Sequence, residues 1–423
     1  MNTLAGAKKV TVCVIGTGYV GLPLARALAK SFKVIALDID KELISELEKS
    51  NKDQGICFTS DASLVKTADY IIICVPTPLN SQKEPDLNQI KKAAQTISVN
   101  LKKGAVVILE STVYPGLTEE LLVPLLEASG LKAGKDFKVA YSPERINPGD
   151  DEHDISGVTK IVAGMDKETT AAVAELYRTV TPKVYQAGSI KIAEAAKIVE
   201  NIQRDLNIAL MNELAIVFNR MGLDTAKILE AAATKWNFNA YYPGLVGGHC
   251  IPVDSYYLVS KAEEFGIRPK LIIAGRKLNE YMPEYIADLV AKTLRESGKT
   301  VKKSRVIIMG LAYKENVCDM RESPAFYLSE ELIKRGCKVY GHDPLITNKN
   351  VRDSLSIPIL SDMEDISAVK ADVLIFTVAH NPFKKLSLKK LARCLAPGPI
   401  LVDIRRMFDA EKATLEGFII KSL

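Results

Sequence analysis

Apolar positions in this chain recur with two different periods, and the switches between them divide it into three parts. Over residues 9–185, short β-branched runs at 10–15, 33–37, 70–75, 105–110, 137–141 and 160–163 alternate with stretches of helical period, the first at 22–31. That alternation predicts βα units and a mainly parallel, doubly wound sheet. From 189 to 221 the period is helical without a break, and Val199, Ile202, Leu206 and Leu210 share one apolar stripe. Further helix is expected over 224–233 and 256–297, then a lysine-rich linker with Gly298 over 294–304. The βα pattern returns at 305. Strands are expected at 306–309, 338–342, 373–378 and 400–404, with a helix over 323–334 that Ser323 caps and Pro324 opens. The expected fold class is α/β: two doubly wound parallel-sheet lobes joined by an all-helical middle domain with a long central helix. The expected boundaries are 1–188, 189–298 and 299–423.

Composition narrows the function classes. A chain of 423 residues is too long for one core and suits two or three domains. Its 56 basic and 51 acidic residues leave a net charge of +5, which gives no case for a nucleic-acid partner. A locally basic pocket for a small anion fits that balance equally well. No apolar run approaches the ~18–20 residues of a membrane span, and residues 1–9 lack the apolar core of a signal peptide, so no membrane partner is expected. Seven cysteines at 13, 57, 74, 250, 318, 337 and 394 form no CxxC pair. A disulfide framework or metal site is therefore not expected, and the chain reads as reduced and cytoplasmic. Several of the cysteines, Cys13 and Cys74 among them, sit in apolar runs as core residues do. Cys250 does not.

Two segments carry candidate chemistry. The first is Gly16-x-Gly18-x-x-Gly21, which follows a strand and opens a helix. Gly16 allows the tight turn, Gly18 lets backbone approach a pyrophosphate, and Gly21 lets helix and strand pack closely, as in a Rossmann-like dinucleotide site. Asp38, 17 residues after Gly21, is placed to accept from a ribose diol, which favours NAD over NADP. Asp40 competes for that role but lies further from the strand end. The second segment is Gly247-Gly248-His249-Cys250-Ile251-Pro252-Val253-Asp254. Two glycines let backbone crowd a ligand, and a thiolate near a cation is a nucleophile. His249 is open between binding substrate and fixing the loop. Between these segments, Glu194, Lys197, Asn201 and Arg204 follow one another at spacings of 3, 4 and 3, on one helix face. That face is either a solvated stripe or the source of a base, an oxyanion donor and a phosphate ligand.

Taken together the motifs are similar to those of the nucleotide-sugar 6-dehydrogenases, the family that includes UDP-glucose dehydrogenase and the UDP-N-acetylhexosamine dehydrogenases. The resemblance covers nearly the whole length. It rests on Gly16–Pro23, Val75-Pro76-Thr77-Pro78, Glu110-Ser111-Thr112, Ser142-Pro143-Glu144-Arg145, Glu194-x-x-Lys197-x-x-x-Asn201 and Gly247–Asp254. Ala312-Tyr313-Lys314 and Asp319-x-Arg321-Glu322-Ser323-Pro324 complete it.

The resemblance implies an NAD-binding domain, a helical dimerisation domain and a UDP-sugar-binding domain, assembled as a homodimer. Cys250 would be the nucleophile. Lys197, Asn201 and Asp254 would handle protons and water, with Thr112 close by and Glu144 activating the hydrolytic water. Gly16, Gly18, Tyr19, Val20, Gly21, Asp38, Thr77, Thr112 and Arg321 would contact NAD. Arg145, Ile146, Lys197, Asn201, Arg204, Lys235, Gly244, His249, Lys314 and Arg405 would line the UDP-sugar site. Tyr141–Asp150 and Lys235-Trp236-Asn237-Phe238 look like the UDP-N-acetylglucosamine or N-acetylgalactosamine branch. Ser255, where that branch usually has proline, is a departure that would loosen the loop after Asp254. The alternatives are oxidation of UDP-glucose or UDP-N-acetylmannosamine, a two-electron hydroxy-acid dehydrogenase, and a UDP-sugar or NAD binding module without turnover.

Overall fold

The computed structural model describes residues 10–50, 55–145, 157–346 and 356–423. Two compact units divide it: Met1–Asn201 with Tyr256–Arg268, and Ile202–Ser255 with Pro269–Leu423.

The first unit is built on an eight-stranded sheet. Its strands are β1 (Thr11–Ile15), β2 (Lys33–Leu37), β3 (Ile56–Thr59), β4 (Tyr70–Ile73), β5 (Val106–Leu109), β6 (Lys138–Tyr141), β7 (Lys160–Gly164) and β8 (Val184–Gln186). They lie in the order β3-β2-β1-β4-β5-β6-β7-β8. All neighbours are parallel except β6 and β7. Side chains alternate between faces along a strand. Accordingly Cys13, Ile15, Ile71, Ile73, Val107 and Leu109 enter one buried cluster, and Val12, Val14, Ile72 and Ile108 enter another. Both faces are covered, which is why these strands read as continuous apolar runs. The order reverses between β1 and β4, the switch point where such sheets bind ligands.

The second unit holds β9 (Arg305–Met309), β10 (Lys338–His342), β11 (Val373–Phe376), β12 (Ile400–Asp403) and β13 (Ile419–Lys421), all parallel, in the order β10-β9-β11-β12-β13. Val306, Ile308, Val373 and Ile375 pack on Met282, Ile286, Val290 and Leu294 of the helix Lys270–Glu296. Ile307, Met309, Leu374 and Phe376 form the core of the other face. Ser323 caps the helix Pro324–Lys334 by accepting from the Ala325 amide, as its sequence predicts. Two α/β sheets separated along the chain by a helical stretch are therefore what the periodicity predicts.

Two helical expectations need correction. The stretch over 256–297 is two helices, Ile251–Glu264 and Lys270–Glu296. Gly266, at φ +71°, ends the first in the left-handed conformation, with the Ile267 amide bonded back to the Ala262 carbonyl, and Pro269 precedes the second. The first of these helices also starts before Asp254. Ser255 therefore sits in a helix, buried, and its hydroxyl donates to Asp205 at 3.2 Å instead of loosening a loop.

Candidate active-site residues and their family

In the first unit the candidates follow the carboxyl ends of successive parallel strands. Gly16 comes after β1, Asp38 after β2, Thr77 after β4, Thr112 after β5 and Glu144 after β6. Gly16 turns at φ +93°, where a Cβ would stand 2.7 Å from the Cys74 carbonyl oxygen. At Gly21 a Cβ would meet the Gly16 carbonyl oxygen, so strand and helix touch there through backbone. At Gly18 a Cβ would meet nothing within 4 Å. The helix Gly21–Ala29 has no side-chain cap and no acid in its first turn. Open backbone beside uncapped amides fits a pyrophosphate. Tyr19 is exposed beside it and Val20 half-buried.

Asp38 accepts from the Thr17 amide at 2.7 Å and the Thr17 hydroxyl at 2.9 Å, which ties the glycine loop to β2. Asp40 is occupied otherwise: it accepts from the Glu42 and Leu43 amides, both at 3.0 Å, at the head of the helix Lys41–Ser50. The Thr77 carbonyl accepts from the Tyr257 hydroxyl at 3.1 Å.

The helix Ile190–Met221 carries the next group. Glu194, Lys197 and Asn201 are buried, so the solvated-stripe reading fails for them; Arg204 is exposed. Glu194 accepts from the Gly116 amide at 2.6 Å, and from the Thr118 amide at 3.0 Å and hydroxyl at 2.6 Å. Burial pushes its carboxyl up to about 7 against those donors. Its work is to hold the turn that follows Thr112. Lys197 is only 7% exposed, yet no hydrogen bond or ion pair to it occurs among the described residues. An ammonium so placed is poised for a polar ligand. Arg145 pairs with Glu200 at 2.7 Å and donates to the Thr159 carbonyl at 2.6 Å. Ile146 lies outside the described residues.

In the second unit Cys250 is exposed and heads the helix Ile251–Glu264, its carbonyl accepting from the Val253 and Asp254 amides. Asp254 is buried in the first turn of that helix. The glycines before Cys250 do crowd something, but it is protein. A Cβ on Gly247 would stand 2.4 Å from Pro324, and one on Gly248, at φ +85°, 2.6 Å from the Tyr313 ring. Three sequence motifs thus pack on one another here. Burial and then the Arg321 guanidinium lower the pKa of His249, while Arg321 itself grips Asp319 through bonds of 2.9 and 2.7 Å.

Gly244 is clamped by Asn212, which donates to its carbonyl at 3.0 Å and accepts from its amide at 2.8 Å. A Cβ at Gly244 would lie 3.3 Å from an Arg405 guanidinium nitrogen, and Arg405 pairs with Glu315, next to Lys314, at 2.7 Å. Gly244, Lys314 and Arg405 are so brought to one place at the carboxyl ends of β9 and β12. Lys235 is exposed after the helix Thr225–Ala233, and no hydrogen bond or ion pair joins it to them among the described residues. The loop bearing Lys314 is held from behind by a pair invisible in the sequence. The imidazole of buried His380 accepts from the Asn316 amide at 2.9 Å and approaches Asp343 at 3.2 Å, and Asp343 accepts from the Leu311 and Ala312 amides.

The chain matches the UDP-glucose/GDP-mannose dehydrogenase family in all three of its parts. The NAD binding domain covers residues 10–53 and 47–181, the central domain 191–281 and the UDP binding domain 307–410. The protein belongs to the UDP-glucose/GDP-mannose dehydrogenase family. Within that family it is 41% identical to a UDP-N-acetyl-D-glucosamine 6-dehydrogenase of Salmonella typhi, across 96% of this chain and 99% of the relative. It is 42% identical to the enzyme of the same name from Pseudomonas aeruginosa, again across 96% and 99%. The structure of a UDP-D-ManNAc dehydrogenase from Pyrococcus horikoshii superposes with a TM-score of 0.87 at 29% identity, over 98% of this chain and 99% of that one. As a family member the chain carries an NAD-binding sheet and a UDP-binding sheet, and the open glycine loop above fits the first of these ligands. No helix among the described residues is long and apolar enough to cross a membrane.

Proposed function

We propose that this dehydrogenase oxidises the C6 hydroxymethyl group of a UDP-N-acetylhexosamine, UDP-N-acetylglucosamine or UDP-N-acetylgalactosamine, to the carboxylate. Four electrons leave the substrate, so two NAD accept a hydride each. The observation that carries the reading is Cys250 exposed at the head of a 14-residue helix with Asp254 in its first turn. Negative charge developing on the sulfur lies at the positive end of that helix. The thiolate captures the aldehyde left by the first oxidation as a thiohemiacetal, and the second oxidation turns the adduct into a thioester.

Lys197 and Asn201 hold the substrate oxygen and stabilise its charge. Asp254 relays protons, Thr112 orders water and Glu144 activates the water that cleaves the thioester. Arg145, Ile146, Arg204, Lys235, Gly244, His249, Lys314 and Arg405 line the UDP-sugar. Gly16, Gly18, Tyr19, Val20, Gly21, Asp38, Thr77 and Arg321 bind NAD. The N-acetylglucosamine branch is favoured because the two relatives named for that sugar are 41% and 42% identical, against 29% for the structure named for UDP-D-ManNAc. The NADH yield across purified UDP-sugars tests this. Two NADH per sugar consumed is expected; one would refute the four-electron mechanism, and best turnover with UDP-glucose would refute the sugar.

We further propose a homodimer in the cytoplasm. Ile192, Val199, Leu210, Val217 and Met221 stand 45–63% exposed on the helix Ile190–Met221. At 100° per residue they form one narrow stripe, which a second copy would cover. A monomer in sedimentation at micromolar concentration would refute this. All seven cysteines are unbridged thiols, as a reducing compartment maintains them.

A further inference from the structure

The one antiparallel step in the first sheet places an unexpected group at its ligand edge. Because β7 runs against β6, with Tyr141 paired to Ala163, the first residue of β7 lies beside the carboxyl end of β6. That residue is Lys160, and it is 3% exposed. Its Nζ reaches a carboxylate oxygen of Glu110, which is fully buried, and stands 5.1 Å from the centre of the Tyr177 ring. The Tyr177 hydroxyl donates to the other Glu110 oxygen at 2.9 Å. The third bond of Lys160 is to the chain leading into Glu144: Nζ donates to the Pro143 carbonyl at 2.9 Å.

This bond belongs to a series. The Ser142 amide donates to the Leu109 carbonyl at 3.0 Å and its hydroxyl to the Ile161 carbonyl at 2.8 Å. Arg145 donates to the Thr159 carbonyl at 2.6 Å. Three successive residues, 159 to 161, thus hold residues 142, 143 and 145, on both sides of Glu144. Glu110 also precedes Ser111-Thr112, so the same ion pair braces two neighbouring strand ends. A buried ion pair is not required for stability, since apolar residues of equal volume serve as well. An apolar residue at 160 would leave the Pro143 carbonyl without its donor.

We propose that Lys160, held by Glu110 and Tyr177, is a positioning residue that sets Glu144 for thioester hydrolysis. This rests on the reading of Glu144 as the hydrolytic base. In that step a water oxygen bonds to the thioester carbon and a water proton passes to the Glu144 carboxylate. The C–S bond breaks with its electron pair going to the Cys250 sulfur. Neither hydride transfer uses Glu144, so displacing it slows the last step alone.

The test uses the double variant Lys160→Met with Glu110→Gln, which removes the bond to Pro143 without orphaning a buried charge. Rapid mixing with NAD and the UDP-sugar substrate is expected to give a burst of two NADH per site at rates within about twofold of the parent. Steady turnover then falls at least roughly tenfold, and intact mass shows an acyl adduct on the chain. Amide exchange at Glu144 and Arg145 is expected to accelerate about tenfold. Unchanged exchange, or burst and steady rates falling in proportion, would overturn the proposal. Glu144→Gln run in parallel separates the two claims. A stall there but not in the double variant overturns the role of Lys160 alone. No stall in Glu144→Gln overturns Glu144 as the base, and the inference with it.

Discussion

Replacing Gly248 by alanine is expected to disable Cys250 without touching it. Gly248 holds φ +85°, a conformation that costs an L-residue about 1–2 kcal/mol. The added Cβ would also stand 2.6 Å from a Tyr313 ring carbon, where carbon atoms normally keep ~3.5 Å. Loop or ring must therefore give by about 0.9 Å. The Tyr313 backbone is held by its amide on the Asp319 carbonyl at 3.0 Å, so the ring can give way only by rotating about its side-chain bonds. The loop is held as well, by the Gly248 amide on the Glu322 carbonyl at 3.3 Å, yet it has the weaker anchor. Cys250 lies two residues on, and displacing a reacting group by ~1 Å costs roughly 10²-fold in rate. Gly248→Ala should thus lower kcat about 100-fold, close to 2.7 kcal/mol. NAD affinity, measured by titration, should fall far less than kcat, since the glycine loop belongs to the other unit and Arg321 alone of the proposed NAD contacts adjoins the Gly248 loop. Adding Tyr313→Ala removes the overlap and leaves only the backbone strain, so the two substitutions should couple strongly. A Gly248→Ala enzyme turning over within twofold of the parent, or strict additivity of the pair, would refute the reasoning.

Three further outcomes are expected. Cys250→Ser should bind NAD and the UDP-sugar with near-parental affinity in calorimetry while forming uronate at least ~10³-fold more slowly; unchanged uronate production would remove the nucleophile. Arg276→Met leaves the buried Asp205 carboxylate without its cationic partner at 2.8 Å, though still bonded by Asn279 and Ser255, and should cost roughly 3–5 kcal/mol, read as a fall in melting temperature. Asp205→Asn in the same chain should restore most of that loss, and no recovery would count against charge burial as the cause. Burial raises the Glu194 pKa to about 7 from 4.5, so between those values the folded chain binds more protons than the unfolded one. Its contribution is fully present below pH 4.5 and is lost as pH rises toward 7, at up to about 1.4 kcal/mol per unit. Glu194→Gln should flatten the decline in melting temperature over that window, and parallel curves for the two proteins would contradict it.

What the sequence could reveal follows from the range of the forces involved. Buried parallel strands announce themselves by unbroken β-branched runs, so β1, β4 and β9 stand out. β8 and β13 span only three residues each and escape notice. Gly266 and Pro269 could have signalled the break between the helices Ile251–Glu264 and Lys270–Glu296. Helical period on both sides concealed it. The glycine loop and Cys250 are recognisable because backbone freedom and a thiol are properties of single residues. The groups that hold them in place are not. Lys160 is the first residue of an apolar run and carries no signal of its own, but one antiparallel pairing turns it inward onto Glu110, 50 residues away. His380 and Asp343 meet across 37 residues, and Asn212 and Gly244 across 32. A hydrogen bond between groups so far apart in the chain leaves no periodic trace, since each partner alone is an ordinary residue. Gly247 and Gly248 make the same point from the other direction. Their spacing to Cys250 suggests room for a ligand, whereas the space is taken by Tyr313 and Pro324. That exchange strengthens the case for the cysteine. A cysteine presented by glycines that lock onto two other motifs of its own unit has its backbone set before any substrate arrives, which is what preorganised catalysis by the proposed nucleophile requires.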